Sequence, residues 1–111
     1  MKEIVMLTPS DQKIARQFRR KLTQTLLVER MLIYGSRARG DATPESDMDI
    51  FIQVSPLTPA IRRQISEMAW EIGLENDIVI STFVVTLDEI ENGPVGANPL
   101  LIAVERNGVP V

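Results

Sequence analysis

Ile14, Phe18 and Leu22 recur at every fourth position, Leu26 extends the stripe, and lysines and arginines fill the opposite face. One apolar face at a period near 3.6 predicts an amphipathic helix. Thr8 as cap, Pro9 at the first helical position and Asp11 where a capping-box acid belongs mark its start, and the stripe carries it to near Leu27. The pattern then changes. Arg30–Tyr34 is a short apolar run stopped by Gly35, Met48–Val54 is a second such run, and both predict buried strands. Asp41–Ser46, between them, is turn chemistry. Thr58 and Pro59 open a second helix, with Ile61, Ile65, Met68, Ala69 and Ile72 on one face and Gly73 as its expected stop. The β-branched run Ile78–Val85 predicts a third strand, the longest of the set. Thr86 and Glu89 form a capping box for a short helix that Asn92-Gly93-Pro94 ends, and a last helix runs from Pro99 to Asn107 before Gly108. Residues 2–7 are too short to classify and read as a brief strand or an extended lead-in.

The order helix, strand, strand, helix, strand, helix, helix predicts an α+β fold in two layers: a small mixed or antiparallel sheet flanked by helices. A chain of 111 residues is expected to form one domain over 1–111. Trp70 is expected in the core or at an interface, Tyr34, Phe51 and Phe83 against the sheet, and the five methionines as gap-fillers.

Composition changes this picture mainly by what is missing. Without cysteine there are no disulfides and no zinc–thiolate sites, and without histidine no Ser-His-Asp triad or imidazole-ligated metal. Carboxylates with oxygen-seeking cations such as Mg²⁺ are the natural remaining chemistry. No apolar stretch suffices to span a membrane and no signal-peptide pattern opens the chain, so a cytoplasmic protein is expected. The net charge of −3 divides into +6 over residues 1–40 and −9 over residues 41–111. The basic half, with its cluster over Arg16–Lys21, suits phosphates or an acidic partner surface, the plainer reading being a solvated helix face.

Chemistry concentrates in YGSRARGDATPESDMDIFI, residues 34–52. Gly35 follows a buried strand, where it can take positive φ and let a ligand approach the backbone. Ser36 adds a hydroxyl, and Arg37 and Arg39 bring charge suited to phosphate. Asp47 and Asp49 are alternate residues at the start of a strand, so both carboxylates leave one face with Cα atoms about 6.6 Å apart. They can converge on one divalent cation or hold two. Three other motifs fail on detail. A Walker A loop would need lysine where Asp41 stands, and an EF-hand would need glycine where Ile52 stands. A glycosidase acid pair would leave the Gly-Ser turn and the arginines unexplained.

Gly35-Ser36, ten intervening residues and Asp47-Met48-Asp49 resemble the signature of the minimal nucleotidyltransferases, in the DNA polymerase β superfamily that includes kanamycin nucleotidyltransferase. The resemblance implies a nucleotidyltransferase-like core that transfers NMP, in the first place AMP from ATP, to a hydroxyl acceptor. By the same resemblance Gly35 and Ser36 hold phosphates, with Arg37 and Arg39 as further nucleotide contacts. Asp47 and Asp49 ligate Mg²⁺, as one ion or two. Asp77 is the best match to the family's third carboxylate, as metal ligand and general base, with Glu75 as the fallback. The resemblance also implies a partner, often a HEPN-domain protein that the transferase silences as an antitoxin, or self-association. The basic first helix is the expected docking surface. Two other readings stand beside it: a degenerate binding module, and a transferase acting on RNA ends, which the acidic balance disfavours.

Overall fold

The computed structural model describes residues 7–111, so the lead-in expected over 2–7 lies outside it except for Leu7, which is buried. Helix α1 spans Pro9–Thr23, and the Thr8 hydroxyl accepts the Asp11 N–H at 3.0 Å. It ends before Leu27 because the chain must turn into strand β1, Val28–Tyr34. The Leu26 N–H still bonds the Leu22 carbonyl at 2.9 Å, so Leu26 stays against the core after leaving the helix.

Strand β2 spans Met48–Val54 as expected and pairs antiparallel with β1. Helix α3, Pro59–Asn76, follows the one-turn helix α2, Ser36–Arg39, in chain order. It runs through Gly73, which is a packing residue and not a stop: a Cβ there would overlap the Ile78 carbonyl. Asp77 closes the helix in the left-handed region, with φ 56° and ψ 43°, where aspartate is tolerated better than most residues. That exit turn uses up residues 77–79. Strand β3 is therefore Ile80–Val85, six residues against seven in β1 and β2, and not the longest. Because α3 crosses over between them, β3 lies parallel to β2.

The Thr86–Glu89 capping box forms in both directions, at 3.0 and 3.1 Å, and starts helix α4, Leu87–Asn92. A 3-10 turn over Pro94–Ala97 leads into α5, Pro99–Asn107. A two-residue strand β4, Val109–Pro110, then pairs with Ile33 and Leu32 of β1. It is too short to leave a periodic signal, and its proline sits at a sheet edge, where a missing N–H costs little.

The sheet is mixed, in the order β3-β2-β1-β4. The alternation of β2 sorts its side chains: Met48, Ile50, Ile52 and Val54 pack with the buried faces of α1 and α3. Phe51 faces the other way and joins Leu32, Tyr34 and Val85 against Leu101 and Val104 of α5. The expected two layers thus gain a partial third on the side that carries Asp49. Among the described residues no helix is long and apolar enough to cross a membrane.

Replacing glycine by alanine inside a helix ordinarily gains about 0.5–1 kcal/mol, whereas forcing an atom into a filled space costs about 1–3 kcal/mol. Gly73→Ala is therefore expected to destabilise the fold by about 1–2 kcal/mol in urea unfolding.

Candidate functional site

Antiparallel pairing sets Tyr34, the last residue of β1, opposite Asp49. Gly35 consequently emerges beside that carboxylate. Its φ of 75° and ψ of −151° fall in a region essentially reserved for glycine. A Cβ at this position would overlap Asp49 Oδ2 and lie 3.3 Å from Cγ. Ser36 then opens α2, a single turn in which the Arg39 N–H bonds the Gly35 carbonyl at 3.1 Å and Gly40 ends the turn at φ 81°. The Gly-Ser turn and Asp49 are thus in direct contact across the ends of neighbouring strands.

Asp47 sits exposed just before β2, and Asp49 is half-buried within it. Neither carboxylate has an ion-pair partner among the described residues. Burial, and then the charge of Asp47, raise the Asp49 pKa, against the opposing pull of Arg39 and Arg37. Tyr34 beside it is raised as well, by burial first and by Asp49 second. The site therefore holds negative charge that its own cations only partly offset.

The two arginines part company. Arg39 is exposed, its Nε 3.4 Å from Asp41, and stays close enough to Asp49 to lower its pKa. Arg37 is buried and turned inward. Its Nη1 donates to Asp11 Oδ1 at 2.8 Å and its Nη2 to the Ser46 carbonyl at 2.6 Å. Both terminal nitrogens, which the sequence offers to phosphate, are thus engaged within the fold, and only its buried Nε is left without a hydrogen-bond partner. Arg37 ties the loop that delivers Asp47 to the first turn of α1. Asp11 likewise spends its carboxylate on Arg37 and not on a capping box.

Asp77 is exposed in the turn that closes α3. It precedes by two residues Val79, whose carbonyl accepts the Met48 N–H at 2.8 Å, so it lies toward the acid-bearing end of the sheet. Among the described residues no three acidic side chains come together as metal ligands, so Asp77 is not joined to Asp47 and Asp49. Glu75 instead accepts from Gln17 at 2.7 Å. The β3 residue in register with Asp49 is Ser81, a neighbour the sequence pattern did not single out. The roles of Asp11 and Ser46 were also missed. The available signal was an acid on the first turn of a helix whose next turn is apolar.

A mixed sheet that presses a Gly-Ser turn against the acid of the adjoining strand defines a nucleotidyltransferase. The chain belongs to the nucleotidyltransferase domain family, whose model matches residues 12–103. A Methanocaldococcus jannaschii protein named as a protein adenylyltransferase is 31% identical over 90 residues, 72% of this chain and 91% of that one. A crystal structure of a toxin–antitoxin with AMP-PNP shares the fold at a TM-score of 0.54 and 20% identity, over 85% of this chain and 69% of its own.

Two outcomes are expected. Arg37→Ala leaves Asp11 buried without its partner and should cost about 3–5 kcal/mol of unfolding free energy. For Asp49 the raised pKa means the folded state favours the protonated form. That contribution is full below the ordinary carboxylate value and is lost as pH rises through the raised one. Asp49→Asn should therefore raise the melting midpoint at pH 7, with the gain shrinking as pH falls toward the ordinary carboxylate value.

Proposed function

We propose that the chain transfers AMP from ATP, as its magnesium complex, to a hydroxyl group on a partner protein. The observation that carries this reading is the contact of Gly35 with Asp49, which together with Asp47 has no cationic partner among the described residues. Two neighbouring carboxylates repel, and a divalent cation removes that cost. Mg²⁺ is commonly held by one or two carboxylates together with substrate phosphates, so Asp47 and Asp49 suffice as its protein ligands. Bound there, the ion would neutralise charge on the leaving pyrophosphate and polarise the α-phosphate.

The chain's own residues supply the rest. The Gly35 backbone, free of a side chain, lets the phosphates approach, and the Ser36 hydroxyl orients them. Arg39 adds positive charge at the rim, and Arg37 holds Asp47 in place through Ser46. The acceptor oxygen bonds to the α-phosphorus, the α–β phosphoanhydride bond breaks, and pyrophosphate leaves. The hydroxyl proton passes to a carboxylate, for which we assign Asp77 when the acceptor approaches from that end of the sheet.

The name of the Methanocaldococcus jannaschii relative supports AMP as the transferred group and protein as the acceptor. The AMP-PNP-bound toxin–antitoxin structure supports an adenine nucleotide and a protein partner, which we take to be of the HEPN type, with this chain as its antitoxin. In this reading residues 1–111 act as one domain in the cytoplasm, where ATP and magnesium are supplied.

Calorimetric titration of ATP with and without Mg²⁺ tests the site. Wild type should bind only with magnesium, and Asp47→Asn/Asp49→Asn should lose binding by at least about 100-fold. Equal binding by the double variant, or binding indifferent to metal, would sink the proposal. Label from α-³²P-ATP should appear on the acceptor protein, and binding without any transfer would leave a contact-only antitoxin.

A further inference from the structure

The outer edge of β3 is open among the described residues, since β3 ends the sheet. The Met48 N–H donates to the Val79 carbonyl, and in a parallel ladder the groups facing the neighbour belong to alternate residues. Val79, Ser81, Phe83 and Val85 therefore direct their N–H and carbonyl groups toward β2. Ile80, Thr82 and Val84 direct theirs outward, and Arg62 of α3 reaches the Val84 carbonyl at 3.5 Å. Beside this edge, α3 and β3 enclose a groove of about 250 Å³ lined in part by Trp70, Leu74, Val79 and Thr82. Trp70 is 68% exposed, Leu74 61% and Val79 62%. Burying a tryptophan removes about 150–250 Å² from water, so this edge is a costly surface to leave bare.

A helix laid in the groove would cover the apolar side chains but leave the outward N–H and carbonyl groups unpaired. An extended strand satisfies both. We propose that this strand is β3 of a second copy of the chain, running antiparallel about a two-fold axis through Thr82. The match is self-complementary: Thr82 meets its own symmetry mate and Ile80 meets Val84 of the second copy, so every outward group of these residues finds a partner. Charge favours the same arrangement. The start of α3 carries Arg62 and Arg63, Glu67 lies at its middle and Glu71 and Glu75 lie toward its end, and a two-fold axis sets the basic end against the acidic one. Trp70 and Thr82 line the same groove, so the axis also brings the two indole rings toward each other. The result is one continuous eight-stranded sheet. Both Gly-Ser turns and acid pairs open on the same face, with the two β2 strands three spacings, or about 14 Å, apart. This inference does not depend on the transferred group or the acceptor.

Sedimentation equilibrium from about 1 to 100 µM should show a dimer, and Trp70→Glu should weaken it by at least about 30-fold. The chain has no cysteine, which permits a direct geometric test. Residues facing each other in a hydrogen-bonded antiparallel pair have Cα atoms about 5.5 Å apart, within disulfide reach. Thr82→Cys should therefore oxidise to a covalent dimer, whereas Ser10→Cys, exposed at the start of α1, should not. A monomer across the whole range would overturn the proposal. So would a dimer indifferent to Trp70→Glu, or equal cross-linking of the two cysteine variants.

Discussion

The antiparallel register between β1 and β2 fixes both the core and the site. It buries Met48, Ile50 and Ile52 completely on the side of α1 and α3, and the same alternation leaves Asp49 on the other face opposite Tyr34. A slip of one residue would exchange the two sets. Each of those apolar side chains gains about 1.5–3 kcal/mol from burial, so together they outweigh the repulsion between an exposed carboxylate and a half-buried one. The acids are held close by hydrophobic packing behind them, with no attraction between them required. Gly35 completes the constraint from the other strand, because only a residue without a side chain fits between the end of β1 and the Asp49 carboxylate.

This division explains what could be read from the sequence. Period-two alternation in β2 and period-3.6 stripes in α1 and α3 report the core directly, and the capping chemistry at Thr8, Thr58 and Thr86 located the helix starts. The Gly-Ser turn was legible because the positive φ of Gly35 is a local requirement, and the acid pair because alternate residues of a strand share a face. Features that depend on two distant segments were not. Gly73 resembled a stop signal, but the Ile78 carbonyl that requires it belongs to the next turn. Arg37 looked like a phosphate ligand, and only the fold shows Asp11 and the Ser46 carbonyl beside it. Asp77 opened an apolar run, yet the left-handed turn that ends α3 keeps it off the strand. The two-residue β4 exists only through its pairing with β1.

The Asp11–Arg37–Ser46 bridge has a mechanical consequence. Lys13, Arg16 and Arg20 point into solvent from α1, the helix whose first turn supplies Asp11. That helix is thereby joined through a buried ion pair to the peptide group immediately preceding Asp47. Loss of the Arg37 guanidinium would untie the start of α1 and the loop before Asp47 in one step.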